Sequence, residues 1–354
     1  MITAYRSSWS LRSRRMARAA AGLLSIQILV ACGPAGSGST SPAAAGSAAP
    51  TPLTVGLGYI PSVQFAQFYL AQQAGYYREA GLQVTFQNKI DPDLVTLVGQ
   101  GTIDVGISDG TSVIPAVSQG IPIRYVATIY AQFPNIVYAK LSSGIRTAAD
   151  LRGRKLGTPG KYGSSWIMLQ ALLSSAGLKP SDLNIELYPD FGQGAALAQG
   201  AVDAATGFIN NEPVQLELHG TQASILRVDK VVPLPGNGLI ASTKAISTKR
   251  TQLRAFIAAT LRAMREIEAD PQKGLDATVA TVPTLGQDPA AQLAILNATV
   301  ATWSNDYTLA HGEGAIDQAA WATTVTFMAS LPSSPISGTP PAVLQLVDSS
   351  LLPG

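Results

Sequence analysis

The sequence predicts an α/β protein of two lobes, each a mostly parallel sheet flanked by helices, with a ligand cleft between the lobes. Three observations carry this reading. A βαβαβ pattern occurs twice, the two copies match in length, and the composition is 46% hydrophobic and 13% charged over 354 residues. A chain of that length and polarity buries a large core, enough for two lobes of ordinary domain size.

The first copy opens with Leu53 to Tyr59, an apolar run with glycines that reads as a strand. A helical stretch from Phe65 to Glu79, closed by Gly81, leads to a strand from Gln83 to Gln87. A short helix with Leu94, Leu97 and Val98 on one face then runs through Gln100-Gly-Thr-Ile-Asp104 into a buried strand ending at Ile107. The second copy repeats the order: strand Lys155 to Thr158, helix Trp166 to Ser175 closed by Gly177, strand Asn184 to Tyr188 and a helix around Ala195 to Ala198. It ends in Gln199-Gly-Ala-Val-Asp203 and a small-residue strand. Asp104 lies 48 residues after Gly56, and Asp203 lies 46 after Gly157. Parallel strands joined by right-handed crossovers are expected in each copy.

Ile136 to Lys140 reads as a strand leaving the first lobe and Gly238 to Ser242 as one returning to it, which places hinges near residues 140–146 and 236–242. The expected organisation is a first lobe of residues 53–142 plus 240–354 and a second lobe of 143–239. Arg250 to Asp270 sets Leu253, Phe256, Ile257, Leu261, Met264 and Ile267 on one face of an amphipathic core helix. Pro340 to Leu352 reads as a closing helix.

In open α/β sheets the loops at the carboxyl ends of the strands line the ligand crevice. Four segments qualify. Tyr59-Ile-Pro-Ser62, with Gln64 beside it, and Ser108-Asp109-Gly-Thr come from the first copy. Tyr162, Gly163, Ser164 and Ser165 in the loop from Gly160, and Phe208-Ile-Asn-Asn211-Glu212, come from the second. Ser164 or Ser165 is the expected N-cap of the Trp166 helix. Tyr130, Phe133 and Phe191 add to Tyr59, Tyr162, Trp166 and Phe208 as rings at or beside strand ends, where a planar ligand stacks. Glu212, in an apolar neighbourhood, suits a ligand with paired N–H donors. Lys161 is the one cation in the four loops, which disfavours a strongly anionic ligand.

Several chemistries are excluded. Cys32 is the sole cysteine and the two histidines stand 92 positions apart, so neither a thiolate metal site nor Cys/His catalysis is expected, and no metal or cofactor. Gly56-Leu-Gly-Tyr-Ile-Pro61 places proline where a dinucleotide fingerprint needs its third glycine, and the glycines around Lys161 lack phosphate-loop spacing. The five arginines before Cys32 account for the basic balance. Of 24 basic residues 19 remain against 22 acidic, about −3, which does not suit a nucleic-acid partner.

Those arginines, followed by the apolar run Ala19 to Ala31, have the layout of a secretory signal over residues 1–31. The run is shorter than the roughly 20 residues a spanning helix needs. Leu29-Val-Ala-Cys32 resembles the bacterial lipobox, which implies lipidation of Cys32. Residues 32–52 carry no charge and read as a flexible tether, with a reach of roughly 25 Å.

GYIPSVQFAQFYLAQQAGYYREAGLQV, GTIDVGISDG, DLRGRKLGTPGKYGSS, GAVDAATGF and NNEP together resemble ABC-transporter binding proteins for sulfonates, nitrate, riboflavin and thiamin pyrimidine precursors. The resemblance covers about residues 53 to 330. It implies the type II periplasmic-binding-protein fold and a monomer that captures a small molecule by lobe closure. It further implies a lipid anchor on the extracytoplasmic face of a bacterial membrane and the permease subunits of an importer as partners. In the pyrimidine-binding members an aromatic and an Asn occur in the first loop and an Asn-Glu pair closes the site. Tyr59 and Ser62 stand where those members have Trp and Asn, and Asn211-Glu212 matches. The first loop is similar to that of the riboflavin-binding lipoproteins. A nitrogen heterocycle, thiamin pyrimidine precursor or riboflavin, is the expected ligand, with a sulfonate or nitrate-type anion as the alternative. The same fold also hosts an enzyme that builds the thiamin pyrimidine by consuming its own histidine. His219 and His311 fall outside the four loops, so a binding protein is expected, with an extracytoplasmic enzyme or sensor as the further alternative.

Overall fold

The computed structural model describes residues 49–89, 93–331 and 333–353. The expected signal segment, Cys32 and most of the tether lie outside them. Thr51 and Pro52 are already paired with Leu82 and Gln83, so the first strand takes in the last two residues of the expected tether.

Each copy builds one five-stranded sheet. The strands are β1 (Thr51–Leu57), β2 (Leu82–Asn88), β3 (Val105–Ser108), β4 (Ile123–Thr128), β5 (Asn135–Lys140), β6 (Lys155–Thr158), β7 (Asn184–Leu187), β8 (Ala204–Phe208), β9 (Ala223–Arg227) and β10 (Gly238–Ser242). The first sheet has the order β2-β1-β3-β10-β4 and the second β7-β6-β8-β5-β9. Within each, four strands run one way. The fifth, β10 or β5, runs against its two neighbours. The two orders superimpose strand for strand, which is the structural counterpart of the repeat in the sequence.

The repeated aspartates hold equivalent places. Asp104 Oδ2 accepts the Thr54 N–H at 2.9 Å while its own N–H bonds Thr54 O; Asp203 does the same to Lys155 at 2.9 Å. Each thus ties the turn before the third strand of its copy to the first. Lys249 Nζ, 2.6 Å from Asp104, adds a charge-assisted bond.

One expectation is corrected by the pairing. Residues 135–140 belong to the second sheet, so the chain leaves the first sheet before Asn135, not after residue 142, and returns just before Gly238. The crossing segments are therefore 129–134 and 228–237. The expected hinge at 140–146 lies inside the second half.

Helices cover both sheets. Arg250–Ala269 buries the six apolar residues the periodicity assigns to its core face, with Phe256 stacked 5.0 Å from Tyr77 and 6.2 Å from Phe68. The stretch after the first strand is not one helix. It is a 3₁₀ turn, Val63–Phe65, then helices Ala66–Gln73 and Tyr76–Glu79, broken where Gly75 takes φ 81°, a left-handed value that favours glycine. The tail is not one helix but a helical turn, Val343–Leu346, and a 3₁₀ turn, Ser349–Leu351, parted where Val347 bridges to Tyr125 and Asp348 donates its N–H to Tyr125 O, joining the edge of the first sheet. Among the described residues no helix is long and apolar enough to cross a membrane.

Candidate ligand-binding site

The strand ends of the two sheets meet in a crevice of about 1000 Å³, mouth included. From the first half Tyr59, Gln64, Ser108, Asp109 and Tyr130 line it; from the second, Tyr162, Gly163, Ser164, Ser165, Phe191, Phe208, Asn211 and Glu212. The crevice thus brings together 13 of the 15 ligand contacts expected from the sequence.

Ser62 and Phe133 are the two it leaves out. The Ser62 hydroxyl caps the 3₁₀ turn and accepts from the Gln64 backbone N–H (3.2 Å) and Nε2 (3.1 Å), so it orients Gln64 instead of lining the site. Phe133 is 2% exposed and packs with Val137, Leu226 and Leu234 in the core of the second half. The serines after Gly163 are not caps. The helix starts at Gly163 with Tyr162 as N-cap, and Ser165 Oγ reaches Asn135 Oδ1 at 3.0 Å. Ser164 instead hydrogen-bonds Asp109 across the crevice.

Two carboxyls lie here without a cation, since the lining contains no Lys, Arg or His. Lys161 turns away and sits 5.9 Å over the Trp166 ring. Asp109 caps the helix Gly110–Ser118, accepting from the Thr111 N–H at 2.8 Å, the Thr111 hydroxyl at 2.6 Å and the Ser112 N–H at 3.2 Å. Burial pushes its pKa up and those bonds oppose the shift. Glu212 keeps part of its surface open to the crevice while its carboxyl is packed round by protein. Its Oε2 accepts the Phe208 N–H at 2.8 Å, and burial pushes its pKa up to about 7. At neutral pH it is poised between acceptor and donor. Gly207 makes room for it: a Cβ there would lie 3.0 Å from the carboxyl and from the Tyr138 ring.

The rings form walls and a rim. Tyr59 of one half meets Phe191 of the other edge to face, centroids 5.0 Å apart. Tyr162 lies over Gly160, where any side chain would enter its ring. Phe191 has φ 62°, the one non-glycine residue in the left-handed region among the described residues. Such strain persists where surrounding structure imposes it, often at ligand sites. Phe191→Gly should therefore be more stable than Phe191→Val by about 1–2 kcal/mol, the reverse of an ordinary half-buried position, because glycine takes this backbone freely. Ligand affinity should fall in both. Thermal melts and calorimetry check this, and a Val variant as stable as the Gly variant would remove the strain argument.

Residues that sequence reasoning missed include Gln193 at the start of the helix Gln193–Gln199 and Asn237 in the returning segment. With Ser108 they share a property: Gln193 Oε1, Asn237 Oδ1 and Ser108 Oγ are buried and without a protein partner. The spacing repeat itself was the available signal for Gln193, which follows the second strand of its copy at the crevice end. Among the described residues no cluster of side chains fits a metal ion.

The family described as NMT1/THI5 like matches residues 62–274. The riboflavin-binding protein RibY of Chloroflexus aurantiacus is 32% identical over 348 residues, covering 94% of this chain and 97% of that protein. The 4-amino-5-hydroxymethyl-2-methylpyrimidine phosphate synthase THI13 of Saccharomyces cerevisiae is 26% identical over 257 residues, 67% of this chain and 73% of the enzyme. Among solved structures, the alkanesulfonate-binding protein SsuA from Xanthomonas axonopodis pv. citri aligns with a TM-score of 0.62 at 19% identity, covering 86% of this chain and 99% of that one. The fold is thus that of periplasmic binding proteins.

Proposed function

The chain belongs to the NMT1/THI5-like family, and we propose that within it this protein is the extracytoplasmic solute-binding component of an ABC importer that captures riboflavin or a closely related flat nitrogen heterocycle. The observation that carries the ligand class is the pairing of ring walls with two buried carboxyls and no cation in the crevice. An oxoanion such as a sulfonate would meet Asp109 and Glu212 with nothing to neutralise it. A ring system with N–H donors meets π-faces and acceptors. The likeness to a protein named for riboflavin binding supports the same choice.

Asn211-Glu212 keeps a thiamin pyrimidine precursor as the second reading, since relatives in the family are named for making that pyrimidine. Synthesis by this chain is not supported: His219 ends the helix Glu212–Leu218 and His311 stacks on Tyr307, and neither lines the crevice. Mass spectrometry of whatever small molecule is released on denaturation, followed by calorimetry of riboflavin, an aminopyrimidine, taurine and nitrate, tests the reading. Riboflavin should bind, and neither taurine nor nitrate should. Tight binding of taurine or nitrate would move the protein to the anion-binding branch.

The proposal includes anchoring through Cys32. The mature N-terminus from membranes should be Cys32 carrying diacylglycerol, read by mass spectrometry; a mature chain starting elsewhere would overturn the lipobox reading.

A further inference from the structure

Two residues of the crevice wall that carry an unpartnered polar atom are neighbours on the first sheet. Ser108 ends β3 and pairs with Gly238 of β10, so Asn237 is the next residue along that edge. Asn237 is held from behind: its backbone carbonyl accepts the Tyr130 N–H at 2.7 Å and the Ile129 N–H at 3.1 Å. Ser108 is 4% exposed. Both residues line the crevice, and the Ser108 Oγ and the Asn237 Oδ1 are buried without a hydrogen-bond partner in the protein. Buried polar atoms left so are costly and rare in folded proteins, and a group in the wall of a ligand crevice is satisfied by what enters it. A hydroxyl, which both donates and accepts, matches a serine hydroxyl and an amide carbonyl together.

The surroundings set the charge of that group. Asp109 follows Ser108 directly and lines the same wall, and no cationic side chain does. A phosphate there would face a carboxyl across a desolvated gap.

We propose that Ser108 and Asn237 form a hydroxyl-reading subsite that takes the uncharged polyhydroxylated side chain of the ligand and rejects its phosphorylated form. This rests on the heterocycle reading above and adds the second half of the ligand to it. Glu212 and the rings hold the heterocycle; the wall at β3 and β10 selects what hangs from it. Because Asn237 lies in a crossing segment, the same contact also ties the ligand to the connection between the halves.

Calorimetry with three flavins separates the parts: riboflavin, lumiflavin, which has the same ring with a methyl in place of the polyol, and flavin mononucleotide, which adds a phosphate. Lumiflavin should bind roughly 10- to 100-fold more weakly than riboflavin, as the loss of one to two hydrogen bonds implies. Flavin mononucleotide should bind at least about 10-fold more weakly. Ser108→Ala and Asn237→Ala, measured separately, should each weaken riboflavin about 5- to 10-fold and leave lumiflavin unchanged. Equal affinity for riboflavin and lumiflavin, or for riboflavin and flavin mononucleotide, overturns the subsite. So does an equal loss for riboflavin and lumiflavin in both variants, which is what an ordered water in place of the hydroxyls would give. If none of the three flavins binds, the heterocycle reading itself has failed and the subsite falls with it.

Discussion

Glu212→Ala should weaken riboflavin binding about 10- to 150-fold, the cost of about 1.5 to 3 kcal/mol when a charge-assisted hydrogen bond is lost in a desolvated site. The geometry makes this residue the pivot. Its Oε2 is fixed by the Phe208 N–H at 2.8 Å, and it lines the crevice beside the rings. Removing the carboxyl also orphans that N–H. Glu212→Gln keeps the shape and the bond to Phe208, so the part of the loss that comes from charge is read by comparing the two variants. Calorimetry decides it: wild-type affinity in both variants would remove Glu212 from the site, and tighter binding of an anion in Glu212→Ala would reverse the ligand class.

The same residue gives a pH signature with a definite sign. Burial raises its pKa from 4.5 to about 7 in the folded, unliganded protein. Between those values the folded state holds a proton the unfolded chain has lost, so this group makes stability fall as pH rises from about 4.5 to about 7, by on the order of 3 kcal/mol in all. Glu212→Gln should flatten that slope in thermal melts. A ligand N–H favours the ionised carboxyl. Riboflavin affinity should therefore rise with pH up to about 7 and level off above it, with a proton released on binding at pH 6. Affinity that instead falls over this range would mean the acid donates to a ligand carbonyl.

The architecture was legible because the repeat is written in local signals. Glycines close the helices, and Asp104 and Asp203 recur at matching distances; their side chains turn out to hold the same backbone position in each copy. Sheet membership was less legible. Asn135–Lys140 is an apolar run that would suit either sheet, and only its pairing with β8 and β9 settles where it lies. Phe133 shows the same limit for the site: an aromatic beside a strand end points to either face, and this one, just before Pro134, turns into the core. Asn237 stands out by no motif, and Gln193 only by its place after the second strand of its copy. What marks them is the missing hydrogen-bond partner of a buried atom, a property of the packed structure alone.

Asn210 gives the second large effect, and it acts without lining the crevice. The residue comes from the second half, is 1% exposed, and inserts its Nδ2 between Gln64 Oε1 (3.0 Å) and Thr299 Oγ1 (2.8 Å) of the first. Two hydrogen bonds in a buried setting thus depend on the halves being together. Asn210 also precedes Asn211 and Glu212, so a ligand that seats Glu212 favours the arrangement in which Asn210 is bonded. Asn210→Ala leaves both acceptors buried without that donor and should weaken riboflavin about 5- to 100-fold, chiefly through faster dissociation. Thr299→Val, which removes one partner at constant shape, should reproduce part of the loss, and the double variant should lose less than the sum of the two. Stopped-flow flavin fluorescence gives the rates, and small-angle scattering of the unliganded Asn210→Ala protein should show a larger radius of gyration than wild type. Unchanged dissociation in Asn210→Ala, or strict additivity with Thr299→Val, would mean that closure does not run through this contact.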